Sequence, residues 1–204
     1  VAVANLVRGG PLNADKNLDS GFSTLLGLLN PYALVGGIAF AAVFALHAVT
    51  FLRLKTAGKL RDEVGNAARI PALSALIFGG VFLIWTQLGY GKTWLWAVVV
   101  IAVAGLVIAI SATVGNRDGI AFSATAVTVT AVTTVVFGAM YPYLMPTTLA
   151  DGVSLDIWNS ASNPYTLKIM TWTALVITPL VIAYQAWTYW VFRKRLMAER
   201  KVSQ

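Results

Sequence analysis

The chain has 204 residues, 58% of them hydrophobic and only 11% charged, and a net charge of +7; its mean hydropathy is +0.74. This composition excludes an ordinary soluble globular domain and matches a membrane protein. Cysteine is absent, which excludes a disulfide framework and any thiolate-ligated metal or cluster.

The chain opens VAVANLVRGGPLNADKNLDSG, with no initiator Met and without the basic, apolar, small-residue order of a signal peptide. It reads as the interior of a longer sequence. Residues 1–31 are expected to be a leader loop, rich in Gly, Pro and Asn and ending in Asn30-Pro31, a pair that starts a helix. Five apolar runs follow, at 32–52, 70–89, 93–113, 120–141 and 168–192. Each is long enough to cross about 30 Å of hydrocarbon at about 1.5 Å per residue. The expected fold class is therefore an all-α integral membrane protein with five transmembrane helices, residues 32–192 forming the bundle.

In the first run Ala33, Gly37, Ala41 and Ala45 recur every four residues, a small-residue ladder that lets a second helix approach closely. His47 lies six residues before Arg53, about 9 Å of helix rise, on the face of Gly36, Phe40 and Phe51. A polar residue at that depth is a functional candidate; a neutral imidazole bonded to a neighbouring helix is the simpler reading. Pro71 sits in the first turn of the second run, where its missing N–H is harmless.

GYGK, residues 89–92, is short enough to make the second and third runs antiparallel neighbours. Trp85, Tyr90, Trp94 and Trp96 around it suit an interfacial aromatic belt. The fourth run places Ser123, Thr130 and Thr134 on one face, with hydroxyls expected to bond to carbonyls one turn back. Residues 142–167 are too polar for hydrocarbon and are broken by Pro142, Pro146 and Pro164. Asn163 is the expected N-cap of the last run and Pro164 its first helical residue. Gln185, eight residues before Arg193, is the second polar candidate inside the membrane.

If the runs alternate, eleven basic residues fall on one side and four on the other, with the acidic residues divided evenly. One side then carries the whole net charge. The positive-inside rule makes it cytoplasmic, with the N-terminus outside and residues 193–204 a basic cytoplasmic tail. Topology accounts for the basic excess, so no nucleic-acid partner is expected.

Haem ligation has little to draw on: one histidine, plus Met140, Met145, Met170 and Met197. There is no Gly-rich phosphate loop, no metal-ligand spacing and no nucleophile beside a base. No catalytic, cofactor-binding or metal-binding residue is expected in this chain. The runs carry no carboxylate away from their ends, which argues against a self-sufficient ion-coupled transporter. A rival reading is part of a small-solute transporter with His47 and Gln185 along its path.

The strings LLNPYALVGGIAFAAVFALHAVTFLRLKTAGKLRDE, YPYLMPTTL, LDIWNSASNPYTLKIM and TPLVIAYQAWTYWVFRKR, in that order, resemble subunit II of the bacterial cytochrome bd-type quinol oxidases. The resemblance covers nearly all of this sequence but only the latter part of the family's chain, whose front portion holds about four more spans. It implies a heterodimer in the bacterial inner membrane with a subunit I that holds two b-type haems and one d-type haem. That complex oxidises quinol and reduces oxygen to water in aerobic respiration. Subunit II binds no haem; it supports subunit I, contributes to a proton route and in some members holds a lipid or structural quinone. Small accessory subunits join some complexes. This chain departs from the family's pattern at Ser160-Ala161-Ser162-Asn163-Pro164, where Ser-Ser-Ser-Pro is common.

Overall fold

A computed structural model describes residues 1–17, 22–192 and 196–197. It begins with α1, Ala2–Arg8, and α2, Phe22–Gly27, then the long α3, Pro31–Lys55. The strand β1, Thr56–Ala57, leads to a short α4, Lys59–Ala67. The second span is α5, Arg69–Ser74, running through one π-helical turn at Ala75–Gly79 into α6, Gly80–Tyr90. Next come α7, Leu95–Val114, and α8, Asp118–Met140. The hairpin strands β2, Tyr143–Met145, and β3, Leu155–Asp156, precede α9, Pro164–Val191, and β4, Leu196–Met197. Among the described residues, five helical stretches are long and apolar enough to cross a membrane.

The spans alternate in direction, so the bundle has two ends. The loop end carries α1, the 91–94 turn and residues 141–163. The basic end carries α4 and the 115–117 turn. Helices α3, α5–α6, α7 and α8 pack on one another, α7 against α8 most extensively. Their core runs from Tyr32, Phe82, Val136 and Met140 at the loop end through Leu83, Val99 and Val135 to Leu46, Ala75 and Leu106.

Glycine sets the closeness of α7 and α8. A Cβ on Gly105 would lie 2.7 Å from Thr128 Oγ1 and 3.2 Å from Ala124 O. Gly105→Ala is therefore expected to push these helices apart at a cost of about 1–3 kcal/mol, as overpacking does in other cores. The measurement is the thermal stability of the purified protein in detergent.

The small-residue ladder of α3 does not stay on one face. Ala33 is buried and Gly37 half-buried against Val1, but Ala41 and Ala45 are exposed. A repeat of four advances about 400° around the helix, so it drifts about 40° per step and leaves the contact. The buried seam is Gly36, Ala39, Ala42 and Val43, which follows the mixed three-and-four spacing of a helix face.

The described part of the leader is more than a loop. Ala4 and Val7 of α1 are buried in the bundle, and Asn5 Nδ2 donates to Leu28 O at 2.8 Å. Asn30 caps α3 by accepting from Ala33 N at 3.0 Å, while its Nδ2 donates to Asn5 Oδ1 at 2.8 Å. The leader also ties to the 142–163 connection: Gly10 N donates to Pro146 O at 3.0 Å and Thr147 Oγ1 to Leu12 O at 2.8 Å. In that connection β2 and β3 pair antiparallel, and Asp156 Oδ1 accepts from Trp158 N and Asn159 N in the turn that follows.

At the start of α9 Asn163 Oδ1 accepts from Thr166 N at 3.0 Å, and Pro164 is the first helical residue. None of the α9 residues is buried. This last helix stands apart from the other four, held through the loop-end connection and through β4, which pairs parallel with β1. Apart from Leu196 and Met197, the 193–204 tail lies outside the described residues.

Candidate functional site

Polar side chains meet inside the bundle at three depths. At the loop end Tyr32 OH and Thr86 Oγ1 share a hydrogen bond of 2.9 Å, with both residues buried. The Tyr32 ring packs on Phe82, Trp85 and Tyr90, with centroids 5.4–5.5 Å away. Gln87 next to it is buried, and its Nε2 donates to Lys92 O at 2.9 Å, closing the turn between α6 and α7.

Deeper in the membrane, α3 and α8 are joined at His47. Its Nδ1 lies 2.7 Å from Thr125 Oγ1, and its ring stacks on Phe122 at 4.9 Å. Thr50 Oγ1 donates to His47 O at 2.8 Å and is 3.1 Å from Thr125 Oγ1. Thr125 also reaches Phe122 O at 2.8 Å. With the single Thr125 proton on that carbonyl, the His47–Thr125 bond is donated by Nδ1–H. Among the described residues no carboxylate forms an ion pair with His47.

The third site is ionic and lies at the basic end. Arg53, in the last turn of α3, is 5% exposed, and Asp118, first residue of α8, is 9% exposed. Arg53 Nη2 is 3.2 Å from Asp118 Oδ1, and Arg61 Nε of α4 is 2.7 Å from Asp118 Oδ2. Arg53 further donates to Thr113 O at 2.7 Å and to Asn116 Oδ1 at 2.9 Å. Thus the Asp118 carboxylate joins α3 and α4 to α8, and Arg53 adds α7 through Thr113 O. Asp118 also sits where a helix N-terminus favours negative charge.

The structure does not bring the two intramembrane candidates together: His47 is bonded to α8, and Gln185 is exposed on α9. Thr130 and Thr134 bond to carbonyls one turn back, at Ala126 and Thr130; Ser123 is exposed. Sequence reasoning passed over the Tyr32–Thr86 pair, the Thr50–Thr125 pair and the burial of Arg53 and Asp118. A signal for one of them was present. Leu46, Thr50 and Arg53 follow helical spacing on the buried face of α3. No group of three or more His, Cys, Asp or Glu suited to a metal occurs among the described residues.

Residues 1–192 match the family model of cytochrome bd terminal oxidase subunit II. The chain is 26% identical over 234 residues to "Cytochrome bd-I ubiquinol oxidase subunit 2" of Escherichia coli K12, covering 98% of this chain and 62% of that protein. It is 27% identical over 202 residues to "Cytochrome bd ubiquinol oxidase subunit 2" of Bacillus subtilis 168, covering 96% and 59%. A "Probable cytochrome oxidase subunit 2" of Haemophilus influenzae is 27% identical over 224 residues, covering 93% and 59%. The chain therefore spans about three-fifths of the length of these curated relatives. With the family match running from α1 to the end of α9, the chain belongs to the cytochrome bd terminal oxidase subunit II family.

Proposed function

We propose that the chain is part of the haem-free membrane subunit of a terminal oxidase that oxidises quinol and reduces oxygen to water, in the inner membrane of a bacterium. The family match over residues 1–192 carries this reading. In it the chain supports a haem-bearing subunit I, and the basic end faces the cytoplasm, as the positive-inside rule favours. The donor set argues for placing the haems in that partner. The one imidazole is bonded at Nδ1 and stacked on Phe122, and there is no cysteine, so a bis-histidine or thiolate-ligated haem cannot be made from this chain.

His47 in this reading is a structural tie between α3 and α8, outside the path of protons. Its side chain meets the Thr125 hydroxyl and the Phe122 ring, a set that offers no second titrating group among the described residues.

The test is purification from membranes through a tag on the protein that contains this chain. The reading predicts a copurifying haem subunit, a reduced-minus-oxidised haem spectrum and quinol-dependent oxygen consumption. In the assembled His47→Ala variant the consumption rate is expected to stay within about twofold of wild type, well short of the factor of about 10² or more that loss of a general acid–base produces. A preparation with neither haem spectrum nor partner would overturn the assignment. Normal assembly with oxygen consumption abolished in His47→Ala would overturn the structural role alone.

A further inference from the structure

The ionic site at the basic end is not electrically complete. A groove of about 490 Å³ opens beside it, its polar lining including Arg53, Asp62 and Arg69 and its apolar lining Leu73, Leu76 and Ile110. Two carboxylates, one in the lining and one behind Arg53, serve these arginines. Asp118 is shared by Arg53 and Arg61, and the exposed Asp62 is 3.9 Å from Arg61 Nη1. Three guanidiniums therefore face two carboxylates, which leaves one positive charge over. Arg53 is the least exposed of the three, and its Nε is buried with no hydrogen-bond partner.

Asp118 balances the Arg53 charge, but a buried guanidinium donor left idle is costly, and among the described residues exposed Arg69 has no carboxylate at ion-pair distance. The apolar side of the groove restricts which anion. Leu73 and Leu76 are exposed apolar residues at the start of the second span, and the groove passes from arginine to aliphatic surface where headgroups give way to hydrocarbon. We infer that this groove is a binding site for an anionic phospholipid, with its phosphate between Arg53 and Arg69 and an acyl chain along Leu73, Leu76 and Ile110.

Gly65 belongs to the site for a steric reason. It borders the groove, and a Cβ there would lie 3.4 Å from both Cζ and Nε of Arg53. The bare glycine leaves the guanidinium open on that side. The inference is independent of the oxidase assignment, because it needs only the charges and the groove.

The experiment uses the purified membrane complex containing this chain, delipidated in detergent and titrated with phosphatidylglycerol or phosphatidylcholine, with bound lipid counted by native mass spectrometry. Wild type is expected to bind phosphatidylglycerol saturably and to prefer it to phosphatidylcholine by about tenfold, the worth of one charge-assisted contact. Arg69→Gln, which alters an exposed side chain, and Gly65→Ala, which keeps every charge, are each expected to weaken that binding by about tenfold. Equal affinity for the two lipids, or unchanged phosphatidylglycerol binding in both variants, would overturn the inference. Displacement of the lipid by inorganic phosphate would mean a free-anion site instead, and a photo-crosslinker at position 69 that captures polypeptide would mean that a protein segment fills the groove.

Discussion

Asp118→Ala is expected to destabilise the protein by about 3–5 kcal/mol, because it removes the one carboxylate that two arginines share and strands their charges at a nearly dry helix junction. Arg53 then retains only Thr113 O and Asn116 Oδ1 as acceptors, and Arg61 the oxygens of Asn116 and the exposed Asp62 at 3.9 Å. The charge accounts for this cost more than the shape does. Asp118→Asn, which keeps the size and loses the charge, is expected to recover only part of the loss. In an Arg53→Met background Asp118→Ala should be milder by at least about 1 kcal/mol, the non-additivity of residues in one network. Thermal denaturation of the four purified proteins of this cycle in the same detergent measures it; simple additivity would mean that the buried ion pair contributes no coupling.

Phe82→Ala is the other large expected loss, about 3 kcal/mol, from a different source. Phe82 is 1% exposed and has the largest side chain among the fully buried residues. Its ring lies 5.4 Å from that of Tyr32 and 5.8 Å from that of Phe40. A Cβ on Gly36 would come within 2.8 Å of both Phe82 Cε2 and Ala4 Cβ, so α1, α3 and α6 meet on this one ring. Lipid tails are as apolar as the core, so the burial itself is worth little here and the loss is mainly of packing contacts. Phe82→Leu, which refills most of the space, should be milder than Phe82→Ala in the same thermal assay. Equal losses would mean that the aromatic contacts, and not filled volume, stabilise this end.

The spans were legible because a bilayer imposes length and apolarity residue by residue. The first was read at 32–52 and is Pro31–Lys55; the third was read at 93–113 and is Leu95–Val114. The caps at Asn30 and Asn163 were legible because their chemistry is local: a side-chain oxygen, a proline and the first free N–H groups.

What depends on neighbours was not legible. Counting charges for topology treats Arg53 and Arg69 alike, although the first is buried in an ion pair and the second is exposed. The same holds for α4, whose nine residues sit in a stretch that reads as a connecting loop. Its Arg61 reaches Asp118 across 57 residues of sequence, a distance that no helical periodicity encodes. For α9 the sequence specifies an apolar helix of the right length, but not that it stands clear of the other four.

The π-helical turn at Ala75–Gly79 works as a vernier in the second span. A π turn carries more residues than an α turn, so α6 is clocked differently from the helix that α5 would have continued. Delete one residue there and the stretch can relax to regular α-helix, four residues at about 100° each turning nearly as far as the five of the wider turn, so everything beyond it keeps close to its present orientation. Phe82, Leu83 and Thr86, all buried now, would stay on the buried face, and the Tyr32–Thr86 bond with them. The turn can thus absorb the loss of one residue, whereas the same deletion in the regular helix beyond it would rotate all that follows by about 100°.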